Sequence, residues 1–103
     1  MGLDSDGKKH LRRIGHGLTP AVTVASKGFT DPVRAEIERA LTDHELIKVR
    51  ISVPERDQRR ALIDAITAVT GAELVQAVGR VILLFRKADQ PDPRLSNLLR
   101  HGG

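Results

Sequence analysis

The chain has no cysteine, tryptophan or tyrosine, and its aromatic side chains are Phe29 and Phe85. Without cysteine there is no disulfide framework, thiolate nucleophile, redox pair or zinc finger. With two phenylalanines, a sheet that stacks several bases is not available. No apolar run approaches the roughly 18 residues that a membrane span needs. The opening Met1-Gly2-Leu3-Asp4-Ser5-Asp6 lacks the charged-then-apolar pattern of a secretory leader. A cytoplasmic protein that does not engage a membrane is therefore expected. Catalytic patterns are missing as well. His10, His16, His44 and His101 do not fall at metal-ligand spacing, and there is no G-x-S-x-G elbow or G-x-x-x-x-G-K-[ST] phosphate loop. The expectation is no enzyme, no metal, no cofactor and no small-molecule substrate.

What the 103 residues do contain is one domain's worth of core: 40% are hydrophobic and 29% charged. Residues 1–6 are polar and read as disordered, residues 7–87 as the folded domain and residues 88–103 as a mobile tail. Lys8–His16 reads as a short helix ended by Gly15 and Gly17, and Ala21–Ala25 as a strand. Thr30 or Asp31 can cap a helix over Asp31–Asp43, with Val33, Ile37, Ala40 and Leu41 on its buried face.

The period then changes. In Glu45–Val53, Ile47, Val49, Ile51 and Val53 alternate with Lys48, Arg50 and Ser52, a half-buried strand with a basic outer face. Helical spacing returns over Glu55–Thr70 and ends at Gly71. Glu73–Val78 and Val81–Arg86 form a hairpin through Gly79-Arg80, where Gly in the first central position suits a type II′ turn. The run VILLF lacks alternation and predicts a strand covered on both faces. The closing RLSNLLRHGG reads as mobile, or alternatively as one helical turn packed on the body. The expected fold is α+β, bordering on α/β, in the order α-β-α-β-α-β-β around a small mixed sheet.

Charge is unevenly spread. The total is 17 Lys+Arg against 13 Asp+Glu, yet residues 7–30 hold Lys8, Lys9, Arg12, Arg13 and Lys27 with no acid. Gly79–Lys87 adds Arg80, Arg86 and Lys87, again with no acid. If these meet in space they form one positive patch for an anionic polymer; a merely solvated surface is the competing reading. Ser26-Lys27-Gly28 stands between a strand and a helix start, where free N–H groups and the helix dipole favour anions. A plain tight turn is the alternative there. His16 reads equally as a contact or a helix end, and His44-Glu45 as a structural corner.

The blocks HLRRIGH, TPAVTVASKGFTDPVRAEIERAL, HELIKVRI and TGAELVQAVGRVILLFRK, in this order and spacing over residues 8–87, resemble the CRM domain (chloroplast RNA splicing and ribosome maturation), in its stand-alone bacterial YhbY-type form. The resemblance implies a mixed four-stranded sheet similar to the C-terminal domain of translation initiation factor three. It also implies binding of RNA, namely rRNA in precursors of the large ribosomal subunit. The family's RNA-facing Gly-x-x-Gly loop corresponds to Ala25-Ser26-Lys27-Gly28, with Ala25 in place of the first glycine. Either that position needs no unusual backbone angle, or the loop is altered and binds less closely.

The expected RNA-binding residues are Lys8, Lys9, Arg12, Arg13, Ser26, Lys27, Gly28, Lys48, Arg50, Arg80 and Arg86. Phosphate, sugar and shape contacts should dominate, with structured RNA as the target and a monomer as the working state. The rival reading is a protein-interaction module that docks an acidic partner, with Leu95, Leu98 and Leu99 available for apolar contact.

Overall fold

The computed structural model describes residues 3–101. Helix α1 spans Ser5–Gly15, β1 Pro20–Val24, α2 Asp31–His44, β2 Leu46–Ile51, α3 Arg56–Thr70, β3 Glu73–Val78, β4 Val81–Phe85 and α4 Asn97–His101. The sheet order is β1-β2-β4-β3. Strands β1 and β2 are parallel, which requires a crossover, and α2 supplies it. Strand β4 runs antiparallel to both β2 and β3. This is the mixed α+β sheet expected from the sequence, with α4 added.

Both faces of the sheet are used, unequally. On one face Val22, Val24, Ile47, Val49, Ile51, Ile82 and Leu84 pack with Ile37 and Leu41 of α2 and Ile66 of α3. On the other, Leu46, Val75 and Leu83 pack under Leu11 of α1, with Ile14, Phe85 and Leu98 around them. Strand β4 lies inside the sheet and is buried on both sides, which accounts for its unbroken apolar run. Gly71 caps α3 at φ 72°, and Gly79 takes φ 60° in the hairpin turn. Phe29 packs against the first cluster and Phe85 against the second.

Helix α1 starts earlier than its apolar spacing predicts, because the Asp4 carboxylate accepts the Gly7 N–H at 2.7 Å and caps it. Residues 4–6 are therefore part of an ordered helix start; residues 1 and 2 of the segment expected to be disordered lie outside the described residues. Gly15 does more than end α1. A Cβ placed there would stand 2.6 Å from Leu83 Cδ2, and Leu83 is buried. Glycine is what lets α1 lie directly on β4. Gly15→Ala is expected to destabilise the fold by about 1–3 kcal/mol through overpacking. Urea denaturation measures this, and an unchanged midpoint would mean that α1 can lift without cost.

The tail is the main correction. The second of its two readings is the one observed: α4 packs on the body, with Ala88 and Ser96 buried. Glu45 holds it. Its carboxylate accepts the Ala88 N–H at 2.8 Å and the Ser96 hydroxyl at 2.7 Å, and its carbonyl accepts the Arg86 N–H at 2.9 Å. The Asn97 amide donates to the Leu46 carbonyl, and His44 Nδ1 donates to the Leu95 carbonyl. The domain therefore extends past residue 87, because a buried carboxylate fixes the segment that follows.

Candidate nucleic-acid interface

The strand period of two decides what β2 presents. Ile47, Val49 and Ile51 turn to the α2–α3 side, so Leu46, Lys48 and Arg50 turn to the other. There α1 covers Leu46 and ends at Gly15 above Leu83, leaving Lys48 half-buried and Arg50 exposed. The result is a groove of about 370 Å³ lined by His16, Pro20, Lys48, Arg50, Gln76 and Val78 along its rim and by Val81, Ile82 and Leu83 at its floor. Thr23, beside Arg50 in the β1–β2 register, continues this surface. Among the described residues, no carboxylate lines the groove.

Helical spacing leads α1 into the same place. Lys8, Arg12 and His16 follow one another at i, i+4 and i+8, next to the buried Leu11–Gly15 stripe, and His16 is in the groove. Lys8 and Arg12 are half-buried, whereas Lys9 and Arg13 form the next row outward and are exposed.

Two further predicted elements adjoin the end of β2. The Ser26–Gly28 loop follows Val24, whose carbonyl accepts the Ser52 N–H at 2.8 Å. The Arg80 carbonyl accepts the Ile51 N–H at 2.6 Å, so the hairpin tip sits at this end too. In the loop, Gly28 N–H donates to the Ala25 carbonyl at 2.9 Å, closing a turn that leaves the Ser26 and Lys27 amides outside its own hydrogen bond. Gly28 takes φ 83°, which favours glycine; Ala25 has no positive φ.

Two expectations fail on geometry. The start of α2 is a poor anion site: the Thr30 hydroxyl occupies the Val33 N–H, Pro32 has none, and Asp31 places a carboxylate in the first turn. What the loop offers is Lys27 and its own turn amides. Arg86 does not join the patch. Its guanidinium donates to the Glu38 carboxylate at 2.7 Å, the Thr70 carbonyl at 3.0 Å and the Thr42 hydroxyl at 3.1 Å. It lies by Glu45, at the other end of β2, about 20 Å of strand from Arg80. Among the described residues, the ion pairs are Arg39–Asp43, Arg86–Glu38 and Arg94–Asp92, so the remaining candidate cations keep their charge for solvent or ligand.

One cationic group escaped the sequence reading. Arg56, Arg59 and Arg60 of α3 line a second groove of about 540 Å³ with Ile63, Asp64, Leu74, Ala77 and Gly79. Its charge was hidden in the sequence by the interspersed Glu55, Asp57 and Asp64; the i, i+4 pair Arg56–Arg60 was the available signal.

Comparison with known proteins agrees with this architecture. The chain is 48% identical over 103 residues to a probable RNA-binding protein of Pseudomonas aeruginosa, covering 100% of this chain and 99% of that one. It is 38% identical over 88 residues to an RNA-binding protein of Haemophilus influenzae, covering 85% and 89%. The solution structure of a hypothetical protein from Staphylococcus aureus superposes with a TM-score of 0.75 at 27% identity, covering 86% of this chain and 93% of that one. Residues 3–86 match the CRS1 / YhbY (CRM) domain, and the chain belongs to that family.

Proposed function

We propose that this protein binds structured RNA through phosphate, sugar and shape contacts, and acts as a ribosome-assembly factor on rRNA of large-subunit precursors. The observation that carries the binding is the sheet groove beyond the end of α1, where, among the described residues, no carboxylate lines the wall and half-buried Lys48 and exposed Arg50 make no ion pair. Lys8, Lys9, Arg12 and Arg13 extend the positive surface along one side, and Ser26, Lys27, Gly28 and Arg80 extend it at the end of β2. The names of the Pseudomonas and Haemophilus relatives support RNA as the polymer. Because both phenylalanines are partly buried against the two clusters, the contacts are to the backbone and carry little base sequence.

Filter binding with structured rRNA fragments at two salt concentrations tests the binding, and co-sedimentation with large-subunit precursors tests the assembly role. Lys27→Ala is expected to weaken binding whatever the RNA sequence and to reduce the slope of log affinity against log salt by about one unit. An unchanged slope would take Lys27 out of the interface. Affinity for an acidic protein with none for RNA would favour the interaction-module reading instead.

A further inference from the structure

The second groove lies across the β3–β4 hairpin from the first. Alternation along β3 puts Gln76 and Val78 in the groove with Lys48 and Arg50, while Leu74 and Ala77 line the groove with Arg56 and Arg60. The register shift between Leu74 and Gln76 is what moves Ala77 to that side together with Leu74. Gly79 reaches the α3 groove, and Arg80 follows it in the turn. The hairpin is therefore a partition with cations on both sides and one at its tip.

The α3 groove carries three arginines against one carboxylate, that of Asp64. Arg56 and Arg60 are exposed and make no ion pair among the described residues, although Asp57 is on the same helix and Asp64 lines the same groove. Arg59 is fixed: its guanidinium donates to the Val53 carbonyl at 2.9 Å and the Pro54 carbonyl at 2.6 Å, and it makes no ion pair among the described residues. On the facing side, Ala77 and Gly79 are small enough for a backbone to approach closely. A single strand filling the sheet groove leaves these arginines unused.

Resting on the RNA reading above, we infer that the hairpin separates two sugar–phosphate tracks, one held by Lys48 and Arg50 and the other by Arg56 and Arg60, so that the ligand is RNA presenting two strands side by side. Recognition of paired RNA then follows from protein shape and needs no base contact.

The test compares a hairpin-forming RNA duplex with an unstructured uridine-rich strand of equal length, using the whole chain. The double variant Arg56→Ala/Arg60→Ala is expected to lose about tenfold in duplex affinity at 200 mM salt, with the salt slope reduced by about 1.5 units. Its affinity for the single strand stays at the parent value, and Arg56→Lys/Arg60→Lys restores the duplex slope. Arg59 is left intact because it ties down the start of α3. Equal losses on both RNAs would overturn the two-track arrangement. So would an unchanged duplex affinity in a protein that Lys48→Ala/Arg50→Ala still weakens. If the parent binds neither RNA, the underlying reading fails and takes this one with it.

Discussion

Replacing Lys48 and Arg50 together by alanine is expected to lower affinity for structured RNA about 100-fold at 50 mM salt and about tenfold at 200 mM. Both figures follow from counterion release: each phosphate contact contributes roughly 0.7–0.9 to the slope of log affinity against log salt, so two lost contacts matter most where salt is lowest. The two side chains are neighbours on one face of β2, and neither is paired with a carboxylate among the described residues. Their loss therefore leaves no buried charge behind. The fold should survive, since the core side of β2 is Ile47, Val49 and Ile51, which the variant keeps. Filter binding at both salt concentrations, with a denaturation curve as control, measures the effect. A uniform loss that does not change with salt would mean that the variant damages shape and that the pair does not touch phosphate.

The contrast with Arg86 shows how such a site can be misread from sequence. Lys48 and Arg50 lie in β2 and Arg86 directly follows β4, and the strand period correctly sets the first two opposite an apolar face. The period says nothing about who lies opposite. Arg86 meets Glu38, a residue 48 positions away on α2, and becomes structural. Residues whose role depends on near neighbours were legible: the Gly71 cap, the hairpin glycine Gly79, the alternation of β2, the unbroken run of β4. The α2 entrance was misjudged although its parts are local, because Thr30 and Pro32 each use up a donor that a generic helix start leaves free. The α3 arginines were hidden for a different reason. Net charge over a window averages Arg56 and Arg60 with Asp57 and Asp64, while the fold brings three arginines and only Asp64 of the acids to the groove beside the hairpin.

Glu45→Ala is expected to release the tail and cost the protein about 2–4 kcal/mol, because a charged acceptor with two buried donors is lost and hydrogen bonds to charged groups contribute roughly 1.5–3 kcal/mol each. Glu45 is 3% exposed, and its carboxylate bonds the Ala88 N–H and the Ser96 hydroxyl, itself fully buried. Without the carboxylate both donors are left dry unless the segment detaches, and detachment sets the upper limit on the cost. It also exposes Leu98 and opens one side of the cluster beneath α1. Backbone conformation pulls the other way. Glu45 sits at φ 63°, the one positive φ outside glycine among the described residues, so the hydrogen bonds hold a strained angle that residues other than glycine adopt at a cost.

Glu45→Gln separates these effects. It keeps the angle, the shape and one acceptor oxygen, and the Ser96 hydroxyl can turn to accept from the new amide, so a smaller loss follows than for alanine. Hydrogen exchange across residues 88–101 provides the readout. In Glu45→Ala, protection of the Ala88 and Ser96 amides should collapse while that of β4 persists. Loss of protection in β4 at the same rate would mean that tail and sheet unfold as one unit, and that Glu45 supports the whole domain and not its final segment alone.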